Sequence, residues 1–318
     1  MGNYAIGIDL GGTNIKAILI NEDGEILAQR QQPIIDTVKD NGAQWKNSIK
    51  EFIEELKSIS GVNTETIGIA APGLPDHSNH NISFMPGRLY GLENFNWSEF
   101  LQEENVMVIN DAQAALIAES KIGAGKDYSN LLMVTLGTGV GGGIMIDGKI
   151  HQGNGQRAGH LGHISLDFQG HCGITGIPGS LEDAIGNSTI EKRSLGKYLS
   201  TASLVEDYKK GKPFASWIWL DSVRKLAIGL ASFCNVLSPD KIILGGGICN
   251  AGKALFTPLE EFMENYEWKP GGLKVPIVKA KCNEFSGAVG AAFFAMVSSS
   301  EEKLRSWKLG KNKIGTGL

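Results

Sequence analysis

The chain has 318 residues, 42% of them hydrophobic, and is long enough to form two domains with apolar cores. A formal net charge of -4 without a long basic run excludes a nucleic-acid-binding face. The apolar stretches are too short and too rich in glycine to span a bilayer, so no membrane partner is expected. The four cysteines lie far apart and favour a reducing, cytoplasmic setting. These properties indicate a soluble enzyme.

Two segments repeat one pattern, in which an apolar strand, a glycine turn with threonine and a second apolar strand follow one another. The first covers residues 8–20 and the second covers residues 134–146. Each is followed by an Asp-Gly pair, at 23–24 and at 147–148, which favours a two-residue hairpin turn. Glycine at the bend lets backbone N–H groups approach phosphate oxygens closely. The duplication predicts two lobes that grip one polyphosphate from opposite sides.

Helices and strands alternate along the rest of the chain. In chain order the periodicity predicts a helix over 38–59, strands over 67–71 and 106–109, a helix opening at 110–111, an irregular region over 151–180, a helix near 222–237, a strand over 241–244 and a final helix over 288–297. The tail from residue 298 is polar, and a partly loose segment or a short docked helix is expected there. This order predicts an α/β class with mixed sheets flanked by helices.

Two glycine patterns resemble nucleotide-binding motifs without meeting their requirements. Gly137, Gly139 and Gly142 match the spacing of the dinucleotide fingerprint, but a strand rather than a helix is predicted after them. The run from Gly247 to Lys253 approaches a P-loop, yet an alanine follows where a serine or threonine must bind magnesium. We therefore reject both motifs.

Five motifs together carry a family resemblance. They cover residues 9–14, 110–112, 136–141, 159–163 and 244–247. Their order resembles that of the ROK family, which comprises bacterial sugar kinases and related repressors, and the resemblance spans about residues 4–296. It implies a two-lobed actin-like/hexokinase ATPase fold of duplicated ribonuclease H-like domains. A small domain over 1–118, with 288–318 as its candidate completion, and a larger domain over 119–287 are expected. A homodimer is also implied.

The resemblance implies that ATP and Mg²⁺ are the cofactors. Asp9 ends a strand beside the first glycine turn, where its carboxylate can hold magnesium through water. The hydroxyls of Thr13 and Thr138 suit the β- and γ-phosphates, and glycines at 245 and 246 leave room for adenosine. Lys16 is either a phosphate contact or a solvated strand residue. The implied ATP-binding residues are Asp9, Gly11, Gly12, Thr13, Asn14, Lys16, Gly137, Thr138, Gly139, Gly245 and Gly246.

Asp111 is the candidate general base. It lies just past a buried strand and at the start of a helix, where the crevice of an α/β sheet normally opens. The helix N-terminus keeps the carboxylate charged, ready to take the proton of a sugar hydroxyl. The alternative is a plain N-cap, since Asn and Asp are common caps. Asn110 correspondingly either bonds a sugar hydroxyl or caps the helix.

The sugar site departs from the family pattern. The implied sugar contacts are Gly73, Asn110, Asp111, His160, His163 and Glu182. His160 stands where the family carries glutamate, and an imidazole offers at most one acceptor and one donor. The site is therefore expected to bind a hexose-like polyol with an altered substrate preference. A structural role for His160 is an equally open alternative. Arg88 is either a surface residue or a contact to an anionic sugar.

The family's structural zinc is not expected. Gly173, Thr175 and Ser180 replace its three ligand cysteines, and His163 alone cannot supply the roughly four ligands that zinc needs. A substitute set would require two adjacent side chains to share one ion: His160, His163, His171 and Cys172. We expect the loop to be held by packing and by Pro178.

Two functions of different classes follow. The favoured one is an ATP-dependent kinase that phosphorylates a hexose or hexose derivative. The other is a sugar or nucleotide sensor that binds without turnover. Retention of Asp9, Thr13, Asp111 and Thr138 favours catalysis, because a binding protein has no need of a base.

Overall fold

The computed structural model describes residues 3–36, 40–60, 64–85, 87, 89–282 and 284–299. By its contacts the chain divides into two compact units. Unit 1 contains residues 1–126, 153–157 and 281–318, and unit 2 contains residues 127–152 and 158–280. The sequence predicts domain boundaries after residues 118 and 287. This division by contacts does not test them, so they remain predictions.

Unit 1 is built on a five-stranded sheet of order β3-β2-β1-β4-β7. The first three strands are antiparallel, and β4 and β7 run parallel to β1. The strands are β1 Tyr4–Leu10, β2 Asn14–Asn21, β3 Ile26–Pro33, β4 Ile67–Ala71 and β7 Val106–Asn110, with a small hairpin of β5 Leu74–Pro75 and β6 Ile82–Phe84. The helices are α1 Ala43–Ser60, α2 Trp97–Leu101, α3 Asp111–Ile122 and a C-terminal helix over 286–299.

The C-terminal helix packs directly on the backbone of this sheet. Alternate β1 residues, from Ile6 to Leu10, enter the core shared with α1, so Gly7 faces the opposite side. A Cβ on Gly7 would overlap the carbonyl oxygen of Ala288, and one on Gly68 would overlap that of Ala291. Helix and strands therefore approach more closely than any side chain would allow.

Unit 2 repeats the sheet of unit 1, with order β10-β9-β8-β11-β12 and the same strand directions. Its strands are β8 Leu131–Leu136, β9 Val140–Ile146, β10 Lys149–Ile150, β11 Lys241–Gly245 and β12 Ile277–Lys279. Its helices are α4 Leu181–Ile185, α5 Ile190–Arg193, α6 Thr201–Lys209, α7 Pro213–Leu237 and α8 Lys253–Tyr266. The predicted α/β class with duplicated domains is confirmed. No helix among the described residues has the length and apolarity needed to cross a membrane.

Several element boundaries differ from the predicted ones. The first Asp-Gly turn is a four-residue loop over 22–25, because the amide of Asn21 donates to the carbonyl of Glu25. The second is the expected two-residue turn, with positive φ at both positions. Helix α1 begins at residue 43 instead of 38, and α7 begins at Pro213, a favoured first helical position. The C-terminal helix continues through the first two residues of the predicted tail; Arg88 and residues 300–318 lie outside the described residues.

The glycine contact between sheet and C-terminal helix generates a stability prediction. Gly68→Ala should lower the free energy of unfolding by about 3 kcal/mol, because the added methyl group must displace helix backbone. The matched control is Gly229→Ala in α7, where a Cβ would lie 3.4 Å from Leu181, an ordinary contact. The control should raise stability by up to about 1 kcal/mol, as expected for glycine inside a helix. Urea unfolding of both variants measures the difference, and equal effects would contradict the close packing.

Candidate functional site

Two carboxylates and one ammonium group lie together in unit 1. Asp9 ends β1, and its cross-strand partner in the register with β2 is Lys16, so both side chains lie on one face. Burial first, and then the charge of Asp111, raise the pKa of Asp9 to about 7, while Lys16 opposes this shift. Asp9 also packs against Gly287 in the first turn of the C-terminal helix. The carboxylate of Asp111 is therefore near enough to disfavour ionisation of Asp9.

Lys16 is not a freely solvated strand residue, since only 16% of its side chain is exposed. Its Nζ donates to the carbonyl of Glu284 at 2.7 Å and lies 3.8 Å from the carboxylate of the same residue. The ammonium group is also 5.7 Å from the ring centroid of Phe285. Lys16 thus fixes the segment that leads into the C-terminal helix. Its contact to phosphate remains a prediction.

Asn110 caps α3. Its side-chain oxygen accepts hydrogen bonds from the amides of Ala112 and Gln113, and its amide group donates to the carbonyl of Gly73 at 3.1 Å. The capping alternative is therefore the one that the geometry supports for this residue. The carboxylate of Asp111 accepts from the amide of Ala112 at 2.8 Å, which orients it at the first turn of the helix. Gly73, Asn110 and Asp111 are thereby brought together at the end of β7.

The first glycine turn exposes the residues predicted to meet phosphate. The amide of Gly11 donates to the carbonyl of Asn14 at 3.1 Å and closes the turn between β1 and β2. Gly12 and Thr13 are exposed, and the carbonyl of Thr13 accepts from the amide of Ile34. The threonine side chain is thus presented at the tip of a turn that strand backbone holds in place.

Hydrogen bonds to other segments of unit 2 hold the second glycine turn in place. The amides of Asn187 and Ser188 donate to the carbonyls of Gly137 and Thr138, each at 2.9 Å. Glu182, in the first turn of α4, accepts from the amide of Val140 at 2.9 Å and lies against Gly139. One carboxylate oxygen of Glu182 therefore positions the turn, which sequence reasoning did not anticipate. Its predicted contact to sugar remains a prediction.

A cavity of about 540 Å³ opens beside this turn, and we call it the α6 cavity. The lining residues are Gly137, Thr138, Asn187, Ser200, Thr201, Ala202, Val205, Glu206, Lys209, Gly247, Ile248, Asn250 and Ala251. Gly245 and Gly246, predicted for the adenosine site, do not line it; the third glycine of that run does. Five of the lining residues, between Thr201 and Lys209, come from α6, for which the sequence carried no motif.

His160 and His163 lie within the irregular region of unit 2. Their rings are nearly parallel, with centroids 6.0 Å apart. The following loop, expected to be held by packing and by Pro178, is a small hairpin in which Cys172 pairs with Pro178 and the amide of Gly173 donates to the carbonyl of Ile177. Ser180, at a family cysteine position, caps α4 by accepting from the amide of Asp183 at 3.0 Å. The described residues contain no group of three or more His, Cys, Asp or Glu side chains that could hold a metal ion.

Comparison with known proteins gives matches along nearly the whole chain. The ROK family model matches residues 5–297. A glucokinase of Halalkalibacterium halodurans is 31% identical and aligns with 83% of this chain and 86% of its own length. An N-acetylmannosamine kinase of Vibrio cholerae is 33% identical, with 91% of this chain and 98% of that protein covered. The crystal structure of a ROK hexokinase from Thermus thermophilus superposes with a TM-score of 0.83 at 28% identity, over 94% and 100% of the two chains.

The raised pKa of Asp9 predicts a pH-dependent stability. Because the folded-state pKa of about 7 exceeds the model value of 3.8, the favourable contribution is complete below pH 3.8 and is lost as the pH rises to 7. Without metal or nucleotide, Asp9→Asn should therefore gain stability over the wild type by up to about 1.4 kcal/mol per pH unit in this window. Above pH 7 the gain should stay constant.

Thermal unfolding between pH 4 and 9, with a chelator present, measures this effect. Asp111→Asn should move the upper end of the window to lower pH, because Asp111 is the second cause of the shift. Asp23→Asn, in an exposed turn, serves as the control and should follow the wild type. Parallel curves for Asp9→Asn and the wild type would contradict the raised pKa.

Proposed function

The chain belongs to the ROK family, and from this premise we propose that it transfers the γ-phosphoryl group of ATP to a hydroxyl group of a hexose or hexose derivative, with Asp111 as general base. Membership and the kinase names of its relatives support the class of ATP-dependent carbohydrate kinase. The observation that carries the residue assignment is the position of Asp111 at the first turn of α3, within electrostatic reach of Asp9.

In the proposed reaction Asp111 accepts the proton of the attacking hydroxyl. Phosphoryl transfer needs positioning and charge neutralisation more than covalent help from the protein. The amide of Ala112 orients the carboxylate, and the N-terminus of α3 favours its ionised form. The sugar oxygen is then deprotonated as it attacks the γ-phosphorus, which releases ADP. Asn110 supports this arrangement by capping the same helix.

The carboxylates of unit 1 fit a magnesium ion. Mg²⁺ is commonly held by one or two carboxylates together with substrate phosphates and water. The charge of Asp111 helps to raise the pKa of Asp9, so a divalent cation bound near Asp9 would relieve that repulsion. We assign Asp9 to hold the ion through water. The ion, when bound, neutralises charge that develops on the transferring phosphoryl group.

We assign the nucleoside and the phosphates of ATP to the groups of the protein that suit each of them. The α6 cavity takes the nucleoside, since it lies beside the second glycine turn and is partly lined by apolar α6 residues. The hydroxyl of Thr138 and the amides of its turn are then assigned to the phosphates. The exposed turn at Thr13 in unit 1 offers a hydroxyl and amides of the same kind. The residues assigned to ATP are those of both turns with Asp9, Lys16, Gly245 and Gly246, and Gly247 joins them because it lines the α6 cavity.

The proposed acceptor is a hexose-type sugar. The two relatives are named for glucose and for N-acetylmannosamine, so the family alone does not fix the sugar. We assign His160, His163, Glu182 and Gly73 to the sugar, whereas the side chain of Asn110 is engaged in capping α3. The turn contact of Glu182 leaves it one carboxylate oxygen for a sugar hydroxyl. We also propose a homodimer, on the basis of the family resemblance. A cytoplasmic location is proposed because the four cysteines are free.

Removal of the base tests the mechanism. Asp111→Asn retains an oxygen to accept from Ala112 but cannot take the hydroxyl proton, so kcat should fall by about a hundredfold to ten-thousandfold. ATP binding measured without Mg²⁺ should stay unchanged, because Asp111 is not assigned to the nucleotide itself. The measurement is ADP release with ATP, Mg²⁺ and a panel containing glucose, mannose, N-acetylmannosamine and other hexoses. Asp23→Asn, an exposed carboxylate of unit 1, is the matched control.

The same panel separates the kinase from the sensor. Turnover of at least one hexose by the wild type, lost in Asp111→Asn and kept in the control, is the expected result. Full activity in Asp111→Asn would refute the base assignment. Binding of sugar or nucleotide without any ADP release would instead identify a sensor.

Purified protein should contain much less than one zinc ion per chain. Ser180 is engaged as a helix cap, and Gly173 and Thr175 offer no thiolate ligands. Elemental analysis after dialysis measures the metal content. Tightly held stoichiometric zinc would overturn the argument that the ligands have been lost.

A further inference from the structure

A second cavity of unit 2 is not used by the proposed reaction. It has a volume of about 590 Å³ and lies at the start of α8, and we call it the α8 cavity. Its polar side chains are Tyr208, Lys209, Ser216 and Lys253. Lys209 and the neighbouring Ala251 also line the α6 cavity, so the two cavities share a wall.

The polar lining of the α8 cavity consists of hydrogen-bond donors and of hydroxyls, without a carboxylate. Neither Lys209 nor Lys253 forms an ion pair with any residue that the structure describes. Asp207, the acidic neighbour on α6, already pairs with Lys210 at 3.7 Å and with Lys212 at 2.8 Å. The cavity therefore carries two exposed ammonium groups without an ion-pair partner among the described residues, and the other carboxylate of α6, that of Glu206, lines the α6 cavity and not this one.

The start of α8 adds backbone donors to the same wall. Helix bonding begins with the amides of Leu255 and Phe256, which both donate to the carbonyl of Gly252. Gly252 has no side chain to cap the helix, so the amides of Lys253 and Ala254 precede the helical hydrogen bonds. These amides, the two ammonium groups and the two hydroxyls all suit a ligand made of acceptor atoms with negative charge.

We propose that the α8 cavity is an anion site that binds the phosphate group of inorganic phosphate or of a phosphate chain. A phosphate offers several acceptor oxygens and more than one negative charge, which two lysines can neutralise together. Its position beside a nucleotide rests on the proposed function, whereas anion binding itself does not.

Titration calorimetry on the full chain without nucleotide tests the site, with inorganic phosphate and tripolyphosphate as separate probes. Lys253→Ala should weaken binding of both by about tenfold, the loss of one contact to a charged group. Lys253 does not line the α6 cavity, so KM for ATP measured without added anion should be unchanged. The matched control is Lys210→Ala, a neighbouring lysine that lies outside the cavity and already pairs with Asp207.

The proposal is sustained if Lys253→Ala alone loses affinity while its unfolding temperature matches the wild type. Tighter binding of tripolyphosphate than of phosphate then indicates a chain, and equal affinities indicate a single group. Equal affinity in the wild type and Lys253→Ala overturns it, as does an equal loss in Lys210→Ala. Asp111→Asn should bind the probes normally, so a failed kinase assay and a failed anion site are distinguishable.

Discussion

The close contact of the C-terminal helix with the sheet of unit 1 determines the environment of the carboxylate pair. Gly7 and Gly68 let the helix backbone lie directly on β1 and β4. Two residues after Gly7, on the same face of β1, Asp9 meets the first turn of that helix at Gly287. Lys16 then reaches the carbonyl that precedes the helix. The burial that raises the pKa of Asp9 therefore follows from packing far along the sequence.

The carboxylate pair links folding stability with binding. Asp9 and Asp111 are held together by strand ends and a helix cap, although their charges repel. Such an arrangement is less stable when both groups are ionised and nothing neutralises them. In the proposed reaction a cation held by Asp9 would remove this penalty, so the geometry that weakens the metal-free protein would favour the metal-bound state. Stability and function thus oppose each other at this one position.

Local patterns in the sequence were sufficient for the fold and for part of the site. The duplicated sheets follow from two glycine turns flanked by apolar runs, and the cap by Asn110 follows from its position before a helix. The α6 cavity could not be predicted, since Asn187, Thr201 and Asn250 come from separate segments that only tertiary packing brings together. The bond from the amide of Val140 to Glu182 is equally long-range. Periodicity and capping signals indicate contacts between residues that are close in sequence. They carry no information on contacts between distant segments.

The sequence position of the C-terminal helix has a consequence for biosynthesis. Residues 4–110 contain all five strands of the first sheet, yet the helix that covers its glycine face is encoded by residues 286–299. During translation Gly7 and Gly68 therefore stay uncovered until residues 286–299 have left the ribosome, long after the sheet itself has been synthesised. A truncated nascent chain would keep that face open to chaperones or to aggregation.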